Sequence, residues 1–165
     1  MHKEGTMSKI IDTIEDEDII LGDDGKVRYK SKAAIDADGI GPSHSDPDKQ
    51  DDTSLHHDGH ALNADVDQYI VVPPAIIAGV GPIVLGSQAH VTNTLNGKTC
   101  DAVVGDIGPH KKLGEISVAC AEALDIPSSP VSGGVDEHVV EYVIEPGVPA
   151  EVNGVTYELQ PSSAR

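Results

Sequence analysis

The sequence predicts a mainly β protein, a small β-barrel carrying one or two short helices. Three observations predict it. Val, Ile and Leu make up about a quarter of the 165 residues while Phe and Trp are absent, so a core can form and must be aliphatic. The 17 Gly and 11 Pro punctuate short apolar runs, as turns between strands require. A clear helical period of apolar residues occurs only once. The length fits one domain, expected over residues 18–160 behind a flexible N-terminal segment at 1–17.

The elements follow in chain order. Residues 18–30 read as a hairpin: Ile19, Ile20 and Leu21, a Gly22-Asp23-Asp24-Gly25 turn, then Val27 and Tyr29. Residues 36–60 form a long polar loop, a length that points to function or mobility. Tyr69, Ile70, Val71 and Val72 make a short apolar strand closed by Pro73-Pro74. A further strand runs over 82–92, Asn96-Gly97 signals a type I′ hairpin, and 98–104 returns from it. From 115 to 125 the apolar positions Ile116, Ala119, Cys120, Ala123 and Leu124 line one helical face, and Pro127 stops the helix. A strand at 139–144 and a tight Asn153-Gly154 hairpin complete the chain.

Charge excludes several functions. Eleven basic against 28 acidic residues give −17. Such a chain repels phosphate backbones and offers no basic patch to an anionic membrane, so neither nucleic acid nor membrane is an expected partner; a cationic one is favoured. The N-terminal stretch has no apolar run of signal-peptide length, and no run approaches a membrane span, which leaves the location open. Cys100 and Cys120 make no disulfide framework; they can pair or stay free, and buried free thiols are the default expectation.

The sharpest local feature is Val103-Val104-Gly105-Asp106-Ile107-Gly108-Pro109, a buried strand ending in a carboxylate and a Gly/Pro loop. Glu115 follows at the expected first turn of the helix. A strand-end Asp and a helix-start Glu can converge on one cleft, and two carboxylates across a cleft are what glycoside hydrolysis needs. On spacing alone, an ordinary turn Asp and a Glu favoured by the helix dipole explain the same residues. No G-x-S-x-G elbow and no phosphate-binding Gly-rich loop competes as a catalytic motif.

Three ordered segments resemble the fungal-type chitosanases of glycoside hydrolase family 75 and their bacterial relatives. They are Ala34-Ile35-Asp36-Ala37-Asp38-Gly39; Ala61-Leu62-Asn63-Ala64-Asp65 with Tyr69-Ile70-Val71-Val72-Pro73; and Ala102-Val103-Val104-Gly105-Asp106 with Gly114-Glu115-Ile116-Ser117. Gly133-Gly134-Val135 and the strand around Tyr142 fit the family's C-terminal end, so the likeness spans roughly residues 26–147. The resemblance implies endo-hydrolysis of chitosan, a β-1,4 glucosamine polymer, with inversion at the anomeric carbon. It places Asp106 as general base and Glu115 as general acid. By analogy with other small barrel glycosidases it also suggests a double-psi β-barrel. A helix N-terminus at Glu115 would favour its ionised form, which leaves the two roles interchangeable.

The substrate so implied is cationic, in keeping with the charge of the chain. Asp36, Asp38, Asp65 and Asp101 are candidate amine-binding residues, and Tyr69 is a candidate sugar contact. His44, His56, His57 and His60 lie among Asp46, Asp48 and Asp58, but match no known zinc spacing. The Asp36-Ala37-Asp38-Gly39 run invites Ca²⁺ yet breaks the EF-hand pattern at Ile40. No cofactor is therefore expected, with Ca²⁺ the one alternative. Rival readings of the whole chain are a non-catalytic carbohydrate-binding or structural barrel and a hydrolase acting on peptidoglycan.

Overall fold

Alternation drives the first long strand: Val27, Tyr29, Ser31 and Ala33 are buried, while Arg28 and Lys30 between them face solvent. The computed structural model describes residues 8–40 and 49–162. Its elements are β1 (Lys9–Ile14), β2 (Glu17–Leu21), β3 (Val27–Asp36), β4 (His56–His57), β5 (His60–Ala61), β6 (Tyr69–Val72) and α1 (Pro74–Val80). Then follow β7 (Ser87–Asn93), β8 (Lys98–Ile107), β9 (Glu115–Ser117), α2 (Val118–Ala123), β10 (Val135–Pro149), β11 (Glu151–Val152) and β12 (Val155–Thr156).

Six strands close a barrel in the order β3-β10-β7-β8-β6-β9, with β9 pairing back onto β3. The β1–β2 hairpin extends the sheet from β3. Two ring pairs, β6–β8 and β3–β9, are parallel and the other four antiparallel. Parallel neighbours need crossover connections. β6 is buried on both faces, which explains its unbroken Tyr-Ile-Val-Val run. The core is aliphatic apart from Cys120 and four tyrosines, of which Tyr29 and Tyr142 stack with 4.8 Å between centroids, facing each other across β3 and β10. Among the described residues no helix is long and apolar enough to cross a membrane.

The barrel expectation holds, and so do the β2–β3 hairpin and the Asn153-Gly154 turn, whose two residues take φ 51° and 83°. Other elements differ. Within the segment expected to be flexible, residues 9–14 form β1, paired to β2 from Lys9↔Leu21 to Ile14↔Glu17. Its turn residues, Glu15 and Asp16, both sit at positive φ as a type I′ turn demands. An acidic pair lacking Gly or Asn hid that turn. Pro73-Pro74 does end β6, but Pro74 also opens α1, where its missing N–H costs nothing. The strand expected at 82–92 starts only at Ser87. The Asn96-Gly97 hairpin is a four-residue loop rather than a two-residue turn, since Asn93 pairs with Lys98. Its asparagines have a second use: Asn93 and Asn96 both donate to the Leu124 carbonyl beyond the end of α2.

The helix expected at 115–125 covers only Val118–Ala123. Ser117 caps it by accepting the Cys120 amide, and Glu115–Ser117 is strand β9, which closes the barrel. Ile116 fits a helical stripe and a barrel interior equally well, so periodicity could not separate them.

Three barrel strands are tied by one histidine. His90 on β7 binds Asp101 on β8 through Nδ1 at 2.8 Å and Glu145 on β10 through Nε2. Burial lowers the His90 pKa, but the two carboxylates outweigh it and hold the pKa above its ordinary value. A raised folded-state pKa stabilises the fold below the unfolded value of roughly 6.5, and the gain is lost as pH rises through the folded value. The side chain is 44% exposed, so screening holds the contribution to about 1 kcal/mol or less. His90→Gln should therefore lower Tm most below pH 6 and hardly at all in alkali. A deficit that grows with pH would contradict the clamp.

Candidate functional site

Two registers set the site. Val71 on β6 pairs with Asp106 on β8 to one side and with Glu115 on β9 to the other. The two acidic residues therefore stand at one level, two strand spacings apart, with Cα atoms separated by about 10 Å. A β-bulge makes this alignment. Ile70 pairs with Val104 but Val71 pairs with Asp106, so Gly105 is the extra residue and re-aims the carboxylate after it. A Cβ at Gly105 would stand 2.6 Å from Leu62 and 2.8 Å from Tyr69. Gly108 is needed for the same kind of reason: a Cβ there would crowd Val71 and stand 3.0 Å from Glu115 Oε2.

Asp106 and Glu115 open on one groove of about 720 Å³, with Asp36 and Asp38 beside them. Asp36 ends β3, which runs parallel to β9 with Ala34 opposite Glu115. Gln50, Asp52, Thr53, Ser54, His56 and Gln160 form the rest of the polar wall. Carboxylate oxygens of Asp36, Asp38 and Asp106 lie within 4.8 Å of one another. They are the described residues whose oxygens could surround a small cation, whether a hard metal ion or an ammonium group.

The environments of these acids differ. Asp106 Oδ1 accepts three hydrogen bonds, from Ser54 N (2.9 Å), Ser54 Oγ (2.8 Å) and Ile107 N (3.0 Å). Burial raises the Asp106 pKa, and those hydrogen bonds pull against it in favour of the carboxylate. Glu115 is also raised by burial, opposed by Lys112 and Lys32 and reinforced by the charges of Asp106 and Asp38. Among the described residues none donates a hydrogen bond to its carboxyl group. Asp36 is shifted furthest, to about 8: burial dominates, the Asp38 amide opposes it at 2.7 Å, and the charges of Asp38, Glu115 and Asp106 push the same way as burial.

The loops are held by groups distant in sequence. Ser54 lies 52 residues before Asp106. Gln160 donates to the Ser54 carbonyl and accepts the His56 amide. The Asp38 carboxylate accepts the Gln50 amide, and its carbonyl accepts the Tyr69 hydroxyl at 2.8 Å.

The structure thus brings together four of the seven expected site residues: Asp106, Glu115, Asp36 and Asp38. Tyr69 is fully buried; instead of offering a sugar platform it anchors the Asp38 loop from below. Asp65 lies outside the groove, its amide bound to Asn63 Oδ1 in a turn. Asp101 lies on the barrel wall in the His90 clamp. No local motif in the sequence marks Ser54, Gln50 and Gln160, because their place at the groove comes from tertiary proximity. Of the histidine-rich loop, His44, Asp46 and Asp48 fall outside the described residues. His56 binds Asp52, His57 lies near Asp58 and the Tyr157 ring, and His60 meets the Ala61 carbonyl, so these three serve separate contacts.

No model of a known protein family matches the chain, and a search of curated proteins finds no match to it.

The Asp36 shift has a cost in stability. An unfolded Asp releases its proton near 3.9, whereas the folded protein keeps it to about 8. Across that interval the folded state binds the extra proton, so Asp36 destabilises the fold increasingly as pH rises. Asp36→Asn should raise Tm near pH 8, with the gain shrinking toward zero at pH 4. A gain that is constant with pH, or largest in acid, would show that Asp36 titrates normally.

Proposed function

We propose that the chain is an inverting endo-glycoside hydrolase acting on chitosan, in the manner of the family 75 chitosanases that its motifs resemble. The observation that carries this reading is the pairing of both Asp106 and Glu115 with Val71, which sets two carboxyl-bearing residues at one level on the wall of one groove. Inversion requires carboxyl groups roughly 6.5–9.5 Å apart, so that water fits between base and sugar. A Cα separation of about 10 Å is compatible with that gap.

The differing environments favour distinct roles. Asp106, fixed by three hydrogen-bond donors on Oδ1, suits the general base: its second oxygen can orient water and take its proton. Glu115, buried and lacking such donors, suits the general acid that protonates the leaving glycosidic oxygen. Glu115 lies on strand β9, before the Ser117 cap of α2, rather than within the first turn of a helix. After one turnover Glu115 is ionised and Asp106 protonated, and exchange with solvent restores both.

Substrate preference follows from the groove wall, whose described residues include several carboxylates and no Tyr, Phe or Trp ring. Recognition then rests on charge rather than on stacking. Asp36, Asp38 and Asp52 can meet the ammonium groups of glucosamine units, and a bound cation would draw protons off Asp36. An N-acetylated sugar offers no such cation, and peptidoglycan brings carboxylates of its own. Both considerations favour chitosan over the peptidoglycan alternative. Retention of two opposed, differently tuned carboxyl groups favours an enzyme over a binding module.

Asp106→Asn and Glu115→Gln should each reduce cleavage of a glucosamine hexamer by roughly 10²–10⁴-fold while preserving the circular dichroism spectrum. Product mass spectrometry reads this directly. Intact hexamer with wild-type protein would remove the hydrolase assignment. Near-normal cleavage by either variant would remove that residue from the catalytic pair.

A further inference from the structure

Away from the groove, Cys100 on β8 and Cys120 on α2 bring their Sγ atoms to 3.4 Å across 20 residues of chain. Both are free thiols. Cys120 is fully buried, whereas Cys100 is half-buried and lines a separate open groove of about 540 Å³, beside Thr99, Thr92 and Ala123. One thiol can therefore be reached from solvent, and the second waits behind it within contact distance.

We propose that Cys100 and Cys120 form a dithiol site that reacts with low-molecular-weight disulfides such as oxidised glutathione, closing an internal disulfide. The Cys100 thiolate attacks one sulfur of the reagent, forming a mixed disulfide and expelling one reduced thiol. The Cys120 thiolate then attacks Cys100 Sγ, forming the protein disulfide and expelling the second. Two protein thiols are oxidised and one small disulfide is reduced to two thiols, so electrons and protons balance. Contact with Cys100 and burial hold the Cys120 thiol above its ordinary pKa, which leaves the half-buried Cys100, at the groove, as the first to react.

The bridge has a structural consequence. It clasps α2, which follows β9 without a loop, to β8. The covalent loop so closed, residues 100–120, contains both Asp106 and Glu115. A cross-link of this length constrains the unfolded chain and should raise Tm by roughly 5–10 °C. The inference rests on the thiol geometry and is independent of any hydrolytic activity.

The test incubates the reduced, folded full chain with oxidised glutathione, then combines intact mass with a thiol count in denaturant. The expected product has no free thiol, no retained glutathione and a mass lower by two hydrogen atoms, with the rise in Tm reversed by a dithiol reductant. Cys120→Ala should stop at a stable glutathione adduct on Cys100. Cys100→Ser, a change at the half-exposed position, should leave Cys120 unmodified. Two free thiols persisting in wild type, or a lasting glutathione adduct, would overturn the proposal. Rapid modification of Cys120 in Cys100→Ser would overturn the order of attack.

Discussion

Confining several carboxyl groups in one partly buried groove is the constraint on which the rest of this structure depends. Asp36, Asp106 and Glu115 all have pKa values raised chiefly by burial, and each feels the charge of at least one other acid there. Desolvated like charges do not stay together unaided. The barrel supplies the frame, because Asp106, Val71 and Glu115 sit on three hydrogen-bonded strands at one register level. Donors and cations supply the compensation: Ser54 and the Ile107 amide at Asp106, Lys32 and Lys112 near Glu115, and the Asp38 amide at Asp36. The bracing extends outward, since Ser54 is itself held by Gln160 and the Asp38 loop by Tyr69.

That arrangement separates the acids by environment rather than by type. Asp106 meets three donors on one oxygen, Glu115 meets none among the described residues, and Asp36 holds its proton to about 8. A groove tuned in this way gives its carboxyl groups different proton affinities, the electrostatic condition that the proposed acid and base roles require. The net charge of −17 has the same sign as the groove, so under the proposed function it would draw a cationic polymer in and turn anionic ones away.

The sequence made the aliphatic barrel legible, because short Val- and Ile-rich runs between Gly and Pro turns leave few other packings. It also singled out Asp106, before a Gly/Pro loop, and Glu115, expected at a helix start; both line the groove, with Glu115 on strand β9 instead. What stayed hidden had specific causes. Ile116 suits either a helical stripe or a barrel strand, so periodicity does not separate β9 from α2. Glu15-Asp16 takes a left-handed turn that other residues usually mark, so nothing in the sequence signals the β1–β2 hairpin. Tyr69 sits in an apolar strand run and is also a candidate sugar contact in sequence; its burial in β6 decides for the core. Asp65 and Asp101 resemble Asp36 and Asp38 in sequence, and only the closed ring separates them, by placing β3 and not the middle of β8 at the groove. Ser54 and Gln160 became visible only through contacts that span 52 and 106 residues.

The central claim is that Asp106 and Glu115 face each other across β6 with room for a water molecule between base and sugar. Proton NMR of freshly released products from a glucosamine hexamer, recorded before mutarotation, tests it most directly. The account predicts that the new reducing ends appear first as the α-anomer, from a single inverting displacement of the β-linkage. Initial appearance of the β-anomer would mean a closer pair acting through a covalent intermediate, and would contradict the account.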